Sequence, residues 1–266
     1  MELTMLGTGN ALVTRCYNTC FIISDENRHF LVDGGGGNGI LRQLRVTGFK
    51  WMDIGDIFVT HKHVDHFLGI IWLVRAICSG LYRGGFKGEV RIYGNSEVVC
   101  LIKNLAGQLL RSQEAEFIGK GLKLVEVKDG ESLDIIGHKT SFFDIGSPDA
   151  MQYGFSMDLG EGKKLTCCGD ESYNEKAKPY AENAEWLLHE AFCLYEERDI
   201  FQPYEKSHST VKDACETAAR LGVKNLLLYH TEDMNIKERK ALYTNEGKQY
   251  FKGNLFIPDD LEKISL

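Results

Sequence analysis

A chain of 266 residues with 43% hydrophobic composition has enough apolar side chains for a substantial core, so a compact globular protein is expected rather than a disordered one. Its formal net charge of −7 provides no overall attraction for nucleic acid or anionic lipid, although a local basic groove is compatible with that balance. The 8 cysteines are scattered, form no CxxC pair and sit mostly in apolar segments, which fits reduced thiols in a cytoplasm. No basic n-region opens the chain and no run of about 18 apolar residues follows, so neither export nor membrane spanning is expected.

In chain order, the β-type runs "ELTML" (2–6), "TCFIIS" (19–24) and "HFLVD" (29–33) come first. A helical "GILRQLRVTG" (39–48) follows, then "DIFVT" (56–60). Residues 67–78, "FLGIIWLVRAIC", are apolar on nearly all sides and predict a buried helix. A β-rich stretch comes next, with "EVRIYG", "LKLVEV", "ESLDII", "KTSFFDI", "YGFSMDL" and "KKLTCCGD". The last third alternates strand "EWLLHEAF", a helix over about 210–221, strand "NLLLYH" and helix "IKERKALYTNEG". Thr210 and Asp213 form a capping-box pair and Gly222 sits where a helix ends, which places His208 just before a helix N-terminus. With 4 prolines and no repeat or low-complexity tract, nothing marks a boundary, and one domain over 1–266 is expected. Strands in the middle with helices toward both ends point to layered sheets with helices outside, α/β or α+β.

The densest chemistry is "THKHVDH", directly after the strand "IFVT". In extended backbone, positions i and i+2 share a side, so His61 and His63 address one spot. A helix starting near residue 65 turns Asp65 and His66 back toward it. Imidazole and carboxylate are ligands for Zn²⁺, Fe or Mn, and an open catalytic site needs about three protein ligands plus water.

This segment resembles the HxHxDH signature of the metallo-β-lactamase fold. "LGTGNA", "FLVDGGG", "GD" at 169–170, "LLHEAF", "HST" at 208–210 and "LLLYH" extend the resemblance to the ribonuclease Z-like branch over roughly residues 1–234. It implies an αββα sandwich, two mixed β-sheets packed together with helices on the outer faces, and metals at one edge of the sheets. On that resemblance His61 and His63 hold a first metal, Asp65 and His66 a second, Asp170 bridges both, and His230 completes the second. Asp170 and His230 each follow a predicted strand, where sites are commonly built. The metal implied is divalent, zinc first with Mn or Fe as alternatives, one or two per chain.

The resemblance also implies a third histidine on the first metal, and in "FFDIGSPDAMQYGF" the matching position is Gly146, which has no side chain to donate. Asp144, Ser147 and Asp149 are the nearby oxygen donors. The first site is therefore expected to be weaker than the second. Asp33 resembles a buried aspartate that steadies a ligating histidine. His208 resembles the histidine placed near the scissile phosphate, and Glu190 the carboxylate that orients it. His189 is read as packing, and His29 and His138 as turn residues. "GGGG" at 34–37 lacks the Lys-Ser/Thr of a phosphate loop, so it signals backbone freedom beside the metal loop.

The expected activity is a metal-dependent hydrolase, a phosphodiesterase using a metal-bound hydroxide, with Asp65, His208 and Glu190 as catalytic residues. Two alternatives are a tRNA 3′ processing endonuclease and a catalytically reduced ligand-binding member in which Gly146 has cost a metal. Only 23 residues separate Gly146 from Asp170, most of them in two strands, so the basic arm of the tRNA enzyme has no room. The expected partner is a small phosphodiester or RNA-like substrate, with no membrane, and a homodimer is a compatible assembly. Elemental analysis of the purified protein should find fewer than two metal equivalents per chain; two tightly held equivalents would overturn the ranking of the sites.

Overall fold

Each of the β-type runs forms a strand in the computed structural model, which describes residues 1–266. The residues group into two compact units, and no linker marks the division. One comprises 1–7, 17–128 and 260–266; the other comprises 8–16 and 129–259.

The first unit contains β1 (Glu2–Gly7), β2 (Cys20–Asp25), β3 (Arg28–Val32), α1 (Gly39–Thr47), β4 (Ile54–Val59), α2 (Val64–Tyr82), β5 (Val90–Gly94), α3 (Ser96–Leu109), α4 (Ser112–Ala115) and β6 (Leu122–Glu126). β1, β2 and β3 pair antiparallel, and β3 to β6 run parallel, each parallel step made by a helical crossover. Leu6, Ile22, Leu31, Ile57 and Val59 pack with Ile40 and Leu44 of α1 and Phe67, Ile70, Leu73 and Val74 of α2. The alternate strand residues Met5, Phe21, Ile23, Phe30, Val32 and Phe58 are buried as well, which explains why these strands read as continuous apolar runs.

Two helices depart from expectation. The apolar run predicts a helix over 67–78, and α2 is longer at both ends: it begins at Val64, in line with the start expected near residue 65, with His63 in extended backbone (φ −62°, ψ 148°) and Asp65 in the first turn, where a carboxylate suits the helix dipole. Counting only uninterrupted apolar residues also understates α2: within its 19 residues an 18-residue window has a mean hydropathy of 1.5, long and apolar enough to cross a membrane, though half of that window is buried within the protein. α3 is absent from the sequence reading, since "EVVC" looks like strand. The helix is set by Asn95, whose Oδ1 accepts from the Val98 amide, and by Val98, Val99, Ile102 and Ala106 at helical spacing.

The second unit contains β7 (Ser132–Ile135), β8 (His138–Asp144), β9 (Tyr153–Gly160), β10 (Lys163–Cys167), α5 (Lys178–Ala181), β11 (Trp186–Glu190), α6 (Arg198–Phe201), α7 (Val211–Arg220), β12 (Asn225–Tyr229), α8 (Arg239–Tyr250) and β13 (Asn254–Phe256). Its sheet runs β13-β12-β11-β10-β9-β8-β7, antiparallel from β7 to β10 and parallel from β10 to β13. Leu187, Leu226 and Leu228 pack with Val211, Ala214 and Ala218 of α7 and Tyr243 of α8. The capping box of Thr210 and Asp213 forms as the sequence predicts. The last strand, β14 (Lys263–Ser265), belongs to the first unit and pairs antiparallel with β1; three residues are too few for a sequence signal.

The glycine run after β3 has a geometric reason. The Gly34 amide donates to the His66 carbonyl (2.8 Å) and the Gly69 amide to the Gly35 carbonyl (2.8 Å), so this loop lies directly on the first turns of α2. A Cβ on Gly34 would come within 2.5 Å of the Ile70 nitrogen, and one on Gly69 would collide with the Gly34 carbonyl. Gly69→Ala should therefore destabilise the fold by about 1–3 kcal/mol, the usual cost of overpacking, read as a lower denaturant midpoint at unchanged m-value.

Candidate metal centre

In the first unit the donors gather where β4 gives way to α2. His61, Asp65 and His66 are buried, while His63 is exposed. The ring of His61 lies 4.5 Å from that of His63 and 4.4 Å from that of His66. His66 Nε2 and Asp65 Oδ2 are 3.3 Å apart, so an imidazole and a carboxylate converge on one point.

Asp33 organises this group. Its Oδ1 accepts from the Thr60 amide (2.8 Å), and its Oδ2 accepts from Thr60 Oγ1 (2.9 Å) and His66 Nδ1 (2.8 Å). A carboxylate only accepts, so His66 carries its proton on Nδ1. Thr60 gives its single hydroxyl hydrogen to Asp33, so its contact with His61 Nδ1 (2.9 Å) has the imidazole as donor. One buried carboxylate thus fixes two histidines in the same tautomer, one directly and one through Thr60, and in both rings Nε2 is the nitrogen suited to a metal. Asp33 adopts φ 60°, a left-handed conformation that a non-glycine residue keeps only when its surroundings enforce it. The expected support of one histidine is therefore support of two, and Thr60, placed directly before His61, is the residue missed.

In the second unit Asp170 and His230 come together: His230 Nε2 is 3.4 Å from Asp170 Oδ2, and both side chains are buried. Asp170 follows Gly169 just beyond the end of β10, and His230 is the residue directly after β12, with φ 57°. Glu190 ends β11 fully buried; its Oε1 accepts the Ser209 amide (2.5 Å) and its Oε2 lies 3.6 Å from His208 Nδ1. Burial pushes the Glu190 carboxyl well above the ordinary carboxylate range. His208 stacks on Phe192 (4.8 Å) and sits 5.0 Å from the His230 ring. His189 is buried, bonded through Nδ1 to the Glu190 carbonyl, and burial lowers its pKa, in keeping with packing. His29 and His138 are strand residues, in β3 and β8, rather than turn residues.

The loop from β8 to β9 holds Gly146 at φ 78°, and a Cβ there would point at Lys176 and Asn174 (3.1 and 3.3 Å). Of the three nearby oxygens, Asp144 pairs with Lys176 (3.0 Å), Ser147 donates to Glu171 (2.5 Å), and Asp149 is exposed. The side chain from this loop that reaches Asp170 is Gln152, whose Nε2 donates to Asp170 Oδ1. Nothing in the sequence singles it out, because the loop's path decides which residue turns inward. Together the donors are imidazole nitrogens and carboxylate oxygens, the set that suits Zn²⁺, Mn²⁺ or Fe.

The family described as anti-Pycsar protein Apyc1 matches residues 1–251. Ribonuclease Z of Thermococcus sibiricus is 26% identical, covering 100% of this chain and 96% of its own. Among solved structures, the metallo-β-lactamase fold protein YhfI of Bacillus subtilis superposes with a TM-score of 0.79 at 19% identity, covering 99% of this chain and 98% of that one. The short form of human tRNase Z gives 0.76 at 22% identity, covering 100% and 99%. The two mixed sheets with their helices have the metallo-β-lactamase fold.

Asp33→Asn would put an amide opposite donors that need an acceptor and disturb both histidines. Metal affinity, measured by competition with a chromogenic chelator, should fall about 10- to 100-fold while the far-ultraviolet circular dichroism stays native.

Proposed function

The chain belongs to the anti-Pycsar protein Apyc1 family and is a metal-dependent hydrolase resembling ribonuclease Z; from that premise we propose that it is a phosphodiesterase acting on a small phosphodiester. The ligand set proposed is His61, His63, Asp65, His66, Asp170 and His230, with zinc as the first candidate, manganese or iron as alternatives, and the site of His61 and His63 the weaker. We treat residues 1–266 as one functional domain.

The observation that carries this reading is the Glu190–His208 pair beside Asp170 and His230. When bound, divalent cations at such donors lower the pKa of water and polarise a phosphoryl oxygen. What remains is the departing oxygen, which leaves as an alkoxide unless it is protonated. His208 is half-buried, so its ring is reachable, and stacking on Phe192 limits its orientations. Glu190 behind it is out of solvent and anchored by the Ser209 amide. Glu190 Oε2 stands 3.6 Å from His208 Nδ1, just outside hydrogen-bond distance, so a small approach in the substrate complex would let the carboxyl hold Nδ1 while the ring donates from Nε2 to the leaving oxygen. Asp65, in the first turn of α2, is assigned a second duty as proton acceptor.

A small substrate is favoured by the path of the chain. β9 and β10 are joined by Glu161 and Gly162 alone, so the interval between Gly146 and Asp170 is a tight hairpin. The net charge of −7 adds no general attraction for RNA. A cytoplasmic location is proposed on the cysteines, which form no disulfide.

The test is leaving-group dependence. His208→Ala should lower kcat on the order of 10²- to 10⁴-fold for a phosphodiester with an alkoxide leaving group, and far less for one releasing nitrophenolate, which departs without a proton. Equal losses on both substrates would refute the proton-donor role, and faster cleavage of a tRNA 3′ extension than of any small diester would favour the endonuclease reading.

A further inference from the structure

Gly146 leaves the first metal of the proposed centre one protein donor short, and a histidine could not simply be restored there. The backbone is left-handed (φ 78°) and a side chain would point at Lys176 and Asn174. Asp144 and Ser147 are committed to Lys176 and Glu171. Gln152, the last residue before β9, is different. It is fully buried, and its backbone carbonyl accepts the Ile145 amide (3.1 Å), closing the loop and turning the side chain in. Its Nε2 donates to Asp170, an orientation the acceptor-only carboxylate dictates. The other end of the amide, Oε1, is buried with no hydrogen-bond partner.

The neighbouring backbone is shaped around this amide. Gly169 has φ 79°, and a Cβ on it would come within 2.6 Å of Gln152 Nε2. Glycine before Asp170 is thus what lets the amide approach the carboxylate. An unmatched buried carbonyl costs about 1–3 kcal/mol, and here it sits on the side chain that touches the bridging aspartate.

We propose that Gln152 takes the place of the missing histidine: Nε2 clamps Asp170, and Oε1 is the oxygen donor offered to the metal that Asp170 would hold. This rests on the two-metal reading above. An amide oxygen is a harder ligand than imidazole, so the first site favours Mn²⁺ relative to Zn²⁺ more than a site with a third histidine does.

The experiment uses full-length protein stripped of metal by chelation and titrated with MnCl₂ or ZnCl₂, with bound metal counted by elemental analysis and free Mn²⁺ by paramagnetic resonance. The wild type should show a tighter and a weaker class of site. Gln152→Ala should weaken the weaker class roughly tenfold or more and spare the tighter one, with native circular dichroism. Gln152→His should restore it and move its preference toward Zn²⁺. Gln152→Glu keeps an oxygen donor but loses the N–H: a ligand role predicts that Mn²⁺ still binds, whereas a purely structural clamp predicts loss by repulsion from Asp170. Wild-type titration curves for Gln152→Ala, or loss of the weaker class in Gln152→Glu, would overturn the proposal. His230→Ala separates the two levels, since it should abolish the tighter class whatever Gln152 does; a wild type that takes up no metal would overturn the two-metal reading and this proposal with it.

Discussion

The buried carboxylate of Asp33 is the constraint on which the first unit's chemistry depends. It ties the end of β3 to the end of β4 through Thr60, and both to the first turn of α2 through His66. Because a carboxylate can only accept, the proton positions of two imidazoles follow from it without further assumptions. The glycines after Asp33 serve the same end: with no side chains, Gly34 and Gly69 let loop and helix exchange backbone hydrogen bonds, which fixes where His66 starts.

The second unit solves a similar problem with backbone conformation. Asp170 follows a glycine in left-handed backbone, and His230 adopts that conformation itself. A non-glycine residue held there costs about 1–3 kcal/mol, a strain that surrounding structure must offset. Thr231, next to His230, is held on both sides: its amide donates to Thr8 (3.0 Å), and its hydroxyl accepts from the fully buried Arg239 (2.7 Å). His208 is placed by a different device, the capping box at the start of α7, which fixes the residues just before the helix.

β1, β4, β11 and β12 were legible because both of their faces are buried, so each announces itself as an apolar run. The helix α7 was legible because its cap is written in local side chains. α3 was not, since two valines mimic strand and the capping Asn95 looks like any loop residue. β13 and β14 were not, because three-residue strands exist only through their partners. Among the proposed site residues, the three histidines and the one aspartate of "THKHVDH" stood out by type and spacing, and Asp33, Glu190 and His208 by resemblance. Thr60 and Gln152 carry no such mark, being common polar residues whose role comes from the atoms they meet.

The sequence by itself determined the donor chemistry, the strand runs, the capped helix before which His208 lies, and a glycine at position 146, because each is a matter of residue type and local spacing. Tertiary structure decided which nitrogen of each imidazole holds its proton, that one aspartate serves two histidines, and that Gln152 rather than Asp144, Ser147 or Asp149 meets Asp170. Those outcomes depend on hydrogen bonds between residues up to 33 positions apart and on the path of a loop. Local spacing cannot encode them, because a side chain's partner is chosen by where the backbone carries it.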